Sequence, residues 1–242
     1  MEWRIGCSGF SYKDWKGSFY PEKLAQSKWF GYYSERFKTL ELNVTFYRFP
    51  QVRFLQNWYD KSPSDFSFAV KAPRLISHYK KFNDCEKFLS DFYGTCKEGL
   101  KEKLGPVLFQ LPPQIVYDEA FLEKMIQQLN PDFANVVEFR HASWWQQKVY
   151  YALSKQNITF CSISHPTLPD DVIINTSLVY YRFHGVPKLY YSQYTENKLI
   201  SIADAIIQSK KVKTAFIYFN NTATMAALNN AASLKTYLNI SR

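Results

Sequence analysis

Eight short apolar segments, each turning polar at its C-terminal end and most followed by a stretch with helical spacing, predict an α/β fold on parallel strands. The count of eight and the length of 242 residues point to a closed barrel, since about 250 residues is typical of a minimal eight-fold β/α barrel. The expectation is a TIM-like (β/α)8 barrel occupying residues 1–242 as a single domain, because no linker, repeat array or low-complexity tract divides the chain.

The strands are predicted at 3–8, 40–43, 66–71, 107–110, 136–141, 160–164, 179–184 and 215–221. Helices are predicted between them at 28–37, 53–61, 85–103, 118–129, 144–156, 196–210 and 224–238. The fourth is the clearest: Phe121, Leu122, Met125, Ile126 and Leu129 recur at helical spacing, and Asp118 supplies an N-cap. After the sixth strand, Pro166, Pro169 and Asp170-Asp171 read as loop, so the helix there is expected to be short or missing.

Side chains of a barrel strand alternate between the surrounding helices and the barrel interior. The helix-facing set would be Ile5, Cys7, Leu40, Leu42, Phe66, Phe68, Val70, Phe109, Val137, Phe139, Cys161, Ile163, Tyr181 and Phe183. The opposite parity sends Ser8, Glu41, Asn43, Lys71, Gln110, Glu138, Arg140, Ser164, Arg182, His184 and Asn220 toward the interior near the C-terminal rim. Active sites of this architecture lie at that rim.

Thirty Lys and Arg against 21 Asp and Glu give a formal charge of +9, which favours anionic partners, although no run of like charges forms a nucleic-acid-binding arm. Cys7, Cys85, Cys96 and Cys161 lack the spacing of a zinc knuckle or a secreted disulfide framework and read as reduced thiols. The N-terminus has no signal-peptide core and no apolar run is long enough to span a membrane, so no membrane partner is expected and the cytoplasm is the default location. The sequence carries no signal of oligomeric state.

Several rim residues fall within phrases that identify a family. Gly6-Cys7-Ser8-Gly9-Phe10-Ser11-Tyr12 with Trp15 and Phe19-Tyr20-Pro21, Glu41-Leu42-Asn43 with Thr45-Phe46-Tyr47 and Pro50, and Lys71-Ala72-Pro73 open the match. Leu104-Gly105-Pro106, Gln110-Leu111-Pro112-Pro113, Glu138-Phe139-Arg140-His141 with Ser143-Trp144, Arg182-Phe183-His184-Gly185 and Tyr218-Phe219-Asn220-Asn221 complete it. In this order the chain closely resembles the domain-of-unknown-function-72 family, also called YecE-like proteins, along nearly its whole length. The resemblance implies a TIM-like barrel and leaves the biochemistry to the residues. One departure follows the sixth strand, where the family often carries an acidic residue and this chain has Ser164-His165-Pro166.

Glu41 and Glu138 are the carboxylates expected on the inner rim. Strands two and five lie nearly opposite in an eight-membered ring, so their carboxyl groups would stand about 7 Å apart, inside the window of about 6.5 to 9.5 Å used by inverting glycosidases. The competing arrangement pairs Glu41 with Lys71, and Glu138 with Arg140 or Arg182, as scaffolding. A neutral-to-positive mouth formed by Lys71, Arg140, Arg182 and His184, with the amides of Gln110, Asn220 and Asn221, suits a phosphate or carboxylate. Glu138 and His184 are therefore the candidate catalytic pair. Ser8, Glu41, Asn43, Tyr47, Lys71, Gln110, Arg140, His141, Trp144, Arg182, Asn220 and Asn221 are the candidate substrate-binding residues. An anion is expected between Arg182, Asn220 and the turn at Ser8.

His141, His165 and His184 could converge, but without an H-E-x-x-H motif or a carboxylate-rich set no metal is assigned, and no P-loop or dinucleotide fingerprint calls for a cofactor. Ser8, flanked by Gly6 and Gly9, lacks a nucleophile elbow and reads as a hydrogen-bonding turn serine. Two function classes result: an enzyme doing hydrolysis or other acid/base chemistry on a small phosphate-bearing or anionic substrate, and a nucleic-acid-binding barrel, in a repair setting for example, with Tyr12, Trp15, Tyr47 and Trp144 as stacking surfaces.

Overall fold

The structure, a computed structural model, describes residues 1–239. Its eight parallel strands are β1 (Glu2–Cys7), β2 (Thr39–Leu42), β3 (Ser67–Lys71), β4 (Leu104–Gln110), β5 (Asn135–Glu138), β6 (Thr159–Ser164), β7 (Leu178–Phe183) and β8 (Thr214–Phe219). Their order, β1-β8-β7-β6-β5-β4-β3-β2, wraps the chain once around a nearly closed barrel. The helices are α1 (Trp29–Ser34), α2 (Val44–Tyr47), α3 (Val52–Lys61), α4 (Glu86–Leu100), α5 (Glu119–Gln128), α6 (Gln147–Lys155), α7 (Glu196–Ile207) and α8 (Ala226–Tyr237). Asp118 caps α5, its carboxylate accepting the Phe121 N–H at 2.7 Å.

The strands separate two apolar layers. Outside, the buried faces of the helices pack against side chains such as Leu40, Phe68, Phe109, Val137, Phe160 and Phe183. Inside, Ala69, Leu108, Val136, Cys161, Ile163, Tyr180, Phe216 and Tyr218 fill the barrel beneath the rim. The alternation therefore runs as expected on most strands and is inverted on β6. Cys161 and Ile163 face inward, whereas Phe160 packs outward against Phe139, Trp145 and Tyr150. Ser162 and Ser164 alternate with Cys161 and Ile163, so polarity points the serines inward, but Phe160 shares their parity. The bulk of Phe160 sets the phase instead, and Ser164 goes outward with that residue.

Between β6 and β7 there is no helix. Residues 165–177 run as turns and extended chain, held by Ile173 N–H to Ser162 Oγ (2.8 Å) and by Asn175, which accepts the Phe160 N–H (2.9 Å) and donates to the Ile158 carbonyl (2.9 Å). The helix expected at 144–156 starts three residues late. A 3₁₀ turn over Ala142–Trp144 comes first because the Trp144 ring lies flat on Phe139, centroids 4.3 Å apart, and its indole N–H is drawn to the Ile115 carbonyl at 2.8 Å. The short α2 and a π-helical turn over Leu75–Tyr79 were not legible from spacing; both lie on the C-terminal rim.

The β1–β2 seam closes differently from the rest. Seven strand pairs form ladders, while β1 and β2 meet through one bridge at Ser8 and Glu41, with Gly9 N–H donating to the Glu41 carbonyl at 3.0 Å. Below it the Tyr33 hydroxyl from α1 sits between the strands, accepting the Cys7 N–H (2.8 Å) and donating to the Thr39 carbonyl (3.1 Å). Gly6 lines this seam because a Cβ there would stand 2.3 Å from the Thr39 carbonyl oxygen. Tyr33→Phe should keep the ring stacked on Phe37 while orphaning both backbone groups, lowering stability by about 1–3 kcal/mol in urea denaturation. A loss well under that range would show the seam to be closed without the hydroxyl.

Candidate functional site

The C-terminal ends of β2, β5 and β7 meet around one guanidinium. Arg182 is 1 % exposed and lies between Glu41 and Glu138, both fully buried. Its Nε and Nη2 donate to the two carboxylate oxygens of Glu41 at 2.9 and 2.6 Å, and its Nη1 donates to Glu138 Oε2 at 2.5 Å. Glu41 also accepts the hydroxyls of Ser8 (2.5 Å) and Tyr180 (2.6 Å). A buried carboxylate is tolerated when its lone pairs are filled in this way. The expected Glu41–Lys71 pairing is thus corrected: parity was right, but Arg182 reaches across and takes Glu41 with a two-pronged fork that a lysine lacks. The guanidinium also fills the gap between the carboxylates, so no water or glycosidic bond fits there.

Above this layer Arg140 closes over Glu138, its Nε donating to Glu138 Oε1, with the arginine side chain 11 % exposed. Burial alone would raise the Glu138 carboxyl, but Arg140 and Arg182 outweigh it and hold the group well below the usual carboxylate range. His184, fully buried, is pushed well below the usual histidine range by burial and by the same two arginines. Its Nε2 lies 3.2 Å from the Arg140 and 3.4 Å from the Arg182 guanidinium and accepts from them, while its Nδ1 lies 2.9 Å from Asn220 Nδ2. Its nearest approach to the Glu138 carboxylate is 3.7 Å. Glu138 is therefore fixed as an anion and His184 as a neutral ring, an arrangement that suits positioning better than proton exchange.

Lys71 is different. It is 8 % exposed, and its Nζ has one hydrogen-bond acceptor, Gln110 Oε1 at 2.6 Å, with the Phe46 ring centroid at 4.0 Å. Among the described residues no carboxylate oxygen lies within 4.0 Å of it. Lys103, equally buried, shows what a satisfied ammonium looks like: it donates to the Tyr59 and Ser62 carbonyls and the Ser62 hydroxyl at 2.7 to 2.9 Å. Burial first, then the charge of Arg182, pushes the Lys71 ammonium down to about 7. His78, on the π turn, packs edge-on against Phe46 and is pushed down to about 4 by burial and by Lys71, so the ring adds no charge.

Ser8, Glu41, Glu138, Arg140, Arg182, His184 and Asn220 thus form one hydrogen-bonded network on the rim, and Lys71 with Gln110 forms a separate pair beside it. Asn43 borders it, lining a cavity of about 320 Å³ with Tyr12, Phe54 and Trp58, and its Oδ1 is buried without a hydrogen-bond partner. Tyr47 is 69 % exposed beside the mouth. Others do not join. Trp144 and Trp15 are fully buried core residues that present no face to a ligand. Asn221 points outward and donates to the Ser192 carbonyl and to Asn230, because strand alternation allows only one of the Asn220-Asn221 pair to face inward. His141 bonds Ser143 in its own turn, while the ring of His165 lies 5.8 Å from His184. Arg182, expected to clamp an anion near Ser8, has every guanidinium nitrogen committed; the outward cations are Lys71 and Arg140.

Sequence reasoning overlooked Tyr180, Phe46, His78 and Cys161, whose Sγ is 3.8 Å from Glu138. Tyr180 shares its face with Arg182 by simple alternation and was findable; Phe46 and His78 depend on α2 and the π turn, which leave no periodic mark. Breaking a buried ion pair costs about 3–5 kcal/mol, so Glu138→Gln should lower stability on that scale. Because the Glu138 carboxyl is lowered on folding, its stabilisation is present above pH 4.5, the ordinary glutamate value, and is lost as pH falls through the lowered one. Denaturant melts should show the gap between wild type and variant closing toward acid; a variant as stable as wild type at neutral pH would remove the counter-charge role.

The model of the DUF72 family, described as a protein of unknown function, matches residues 4–242. The UPF0759 protein YunF of Bacillus subtilis is 26% identical across 98% of this chain and 94% of its own length, and the UPF0759 protein YecE of Escherichia coli K12 is 28% identical over 47% of this chain and 42% of its own. The crystal structure of a DUF72 family protein from Thermotoga maritima superposes with a TM-score of 0.89 at 30% identity, covering 99% of this chain and all of that one (100%). A DUF72 protein from Enterococcus faecalis, 19% identical over 99% of this chain and 96% of its own, shares the fold with a TM-score of 0.84. With the family pattern matched over nearly its whole length and the barrel shared, this chain belongs to the DUF72 family.

Proposed function

We propose that the chain is an enzyme that takes a small phosphate- or carboxylate-bearing substrate at the C-terminal mouth of the barrel and acts on it by acid/base chemistry. The observation that carries this reading is the imbalance at the rim. Glu41 and Glu138 are both engaged by arginines, and Lys71 is left as a buried cation without a carboxylate partner and with hydrogen-bonding capacity unfilled. An ammonium in that setting is stabilised by an incoming anion, and Arg140, on the same rim, offers a second donor. The proton-moving role expected of Glu138 and His184 passes to Lys71, because a group pushed to about 7 exists in both states at neutral pH and the other two do not.

Sulfate, whose charge is constant between pH 6 and 8, tests this directly. Free Lys71 loses its proton as pH rises through about 7 and must regain it to hold the anion, so calorimetry at low salt should show affinity falling above that point by up to about tenfold per pH unit. Lys71→Met should weaken binding and flatten the profile. No sulfate binding, or a profile unchanged in the variant, would overturn the reading.

One observation favours a second reading, a barrel that binds single-stranded nucleic acid. Tyr47 and Tyr79 are exposed on the rim beside Lys71, with the Arg74 guanidinium 5.6 and 5.3 Å from their rings, a surface on which bases could stack. Under it, binding of a short oligonucleotide should weaken steeply with salt, and Tyr47→Ala should cost about 1–3 kcal/mol of affinity. Tight binding of sulfate or a sugar phosphate without oligonucleotide binding decides for the enzyme.

A further inference from the structure

We infer that Lys71 is an amine nucleophile that forms a Schiff base with a carbonyl compound carrying an anionic group, the anion lying against Arg140. The inference rests on the anionic-substrate reading above and adds the reacting bond. Three features of the geometry support it. Lys71 ends β3 with its amino group facing the barrel mouth rather than bulk water. The groups beside it are an aromatic face, one amide oxygen and an uncharged imidazole, while Glu138 and Glu41, whose charges favour the ammonium, are held by arginines and make no ion pair with it. Two further cations, Arg140 and Arg182, share the rim, and a neighbouring positive charge together with an apolar pocket is how a lysine is kept as free amine. The position of Lys71 near 7 agrees with this.

No other cluster leads as far. The apolar cavity of about 380 Å³ beside Phe49 and Phe54 has no group that says what would occupy it. Lys103, the other buried lysine, has its donors filled and faces away from the rim. Cys161 is sealed beneath Glu138, and burial raises its thiol well above the usual range.

In the step, the Nζ lone pair forms a C–N bond to the carbonyl carbon and the carbonyl oxygen takes up a proton lost by nitrogen. The carbinolamine then expels its oxygen as water, using one proton from solvent. Amine, carbonyl compound and one proton give an iminium ion and water, with no change in oxidation state. Added borohydride reduces the iminium by hydride transfer to carbon, fixing the adduct as a secondary amine.

The test is borohydride trapping with pyruvate, read by mass spectrometry of the intact chain and its peptides. The expected product gains the mass of one pyruvic acid less one oxygen atom, on the peptide containing Lys71 alone. Trapping should rise as pH passes upward through about 7, the opposite direction to sulfate affinity. Sulfate should slow it, and acetone, which lacks the anion, should label at least about tenfold less. Lys71→Arg should abolish it; because the mapping is done on wild type, the result does not hinge on that variant folding. Labelling scattered over surface lysines, or acetone reacting as well as pyruvate, would overturn the inference. Sulfate binding with no trapping would sink the Schiff base and leave the anion site standing, whereas loss of both would remove the two together.

Discussion

A single buried guanidinium organises the top of this barrel. Arg182 comes from β7 and reaches Glu41 on β2 and Glu138 on β5, so three strands separated around the ring are tied through one side chain. Removing either carboxylate leaves the buried cation short of a counter-charge, and removing Arg182 leaves two anions facing each other. Ser8, Tyr180 and His184 then take the positions that complete the hydrogen bonding of these three groups. The chemistry available at the mouth is whatever this arrangement leaves over.

What it leaves over is positive. In a mouth with balanced charge, Lys71 would pair with the nearest glutamate and be inert. Here the glutamates are saturated by arginine forks, whose planar geometry outcompetes a point charge for a carboxylate. That Lys71 has no carboxylate partner is thus a consequence of how well the acids are satisfied elsewhere. The same competition explains why the most conspicuous carboxylate of the sequence, Glu138, ends as a counter-charge.

Much of this was legible beforehand. Strand count, the missing helix after β6 and the inward set on seven strands follow from period-two alternation, which is robust wherever one face is polar. It failed on β6 because the contrast of Ser162 and Ser164 with Cys161 and Ile163 pointed one way and the bulk of Phe160 the other, and placing Asn221 at the site went against it, since alternation sends only one of Asn220 and Asn221 inward. Trp144 was misread because aromatic residues serve both cores and ligands, and the sequence does not distinguish a ring lying on Phe139 from one lying on a substrate. Pairing among the rim charges was open for a related reason: alternation gives the side a residue faces, while reach and fork geometry choose its partner.

The β1–β2 seam gives this economy a further meaning. It is the junction with the fewest backbone hydrogen bonds, and Glu41 stands on it, its carbonyl taking the Gly9 N–H and its carboxylate taking the Ser8 hydroxyl from the opposite strand. The clasp of the barrel and the anchor of its charge network are therefore the same residue. A change at Glu41 thus disturbs closure and charge balance together, whereas α2, the π turn and the loops beyond border the mouth without holding the seam shut.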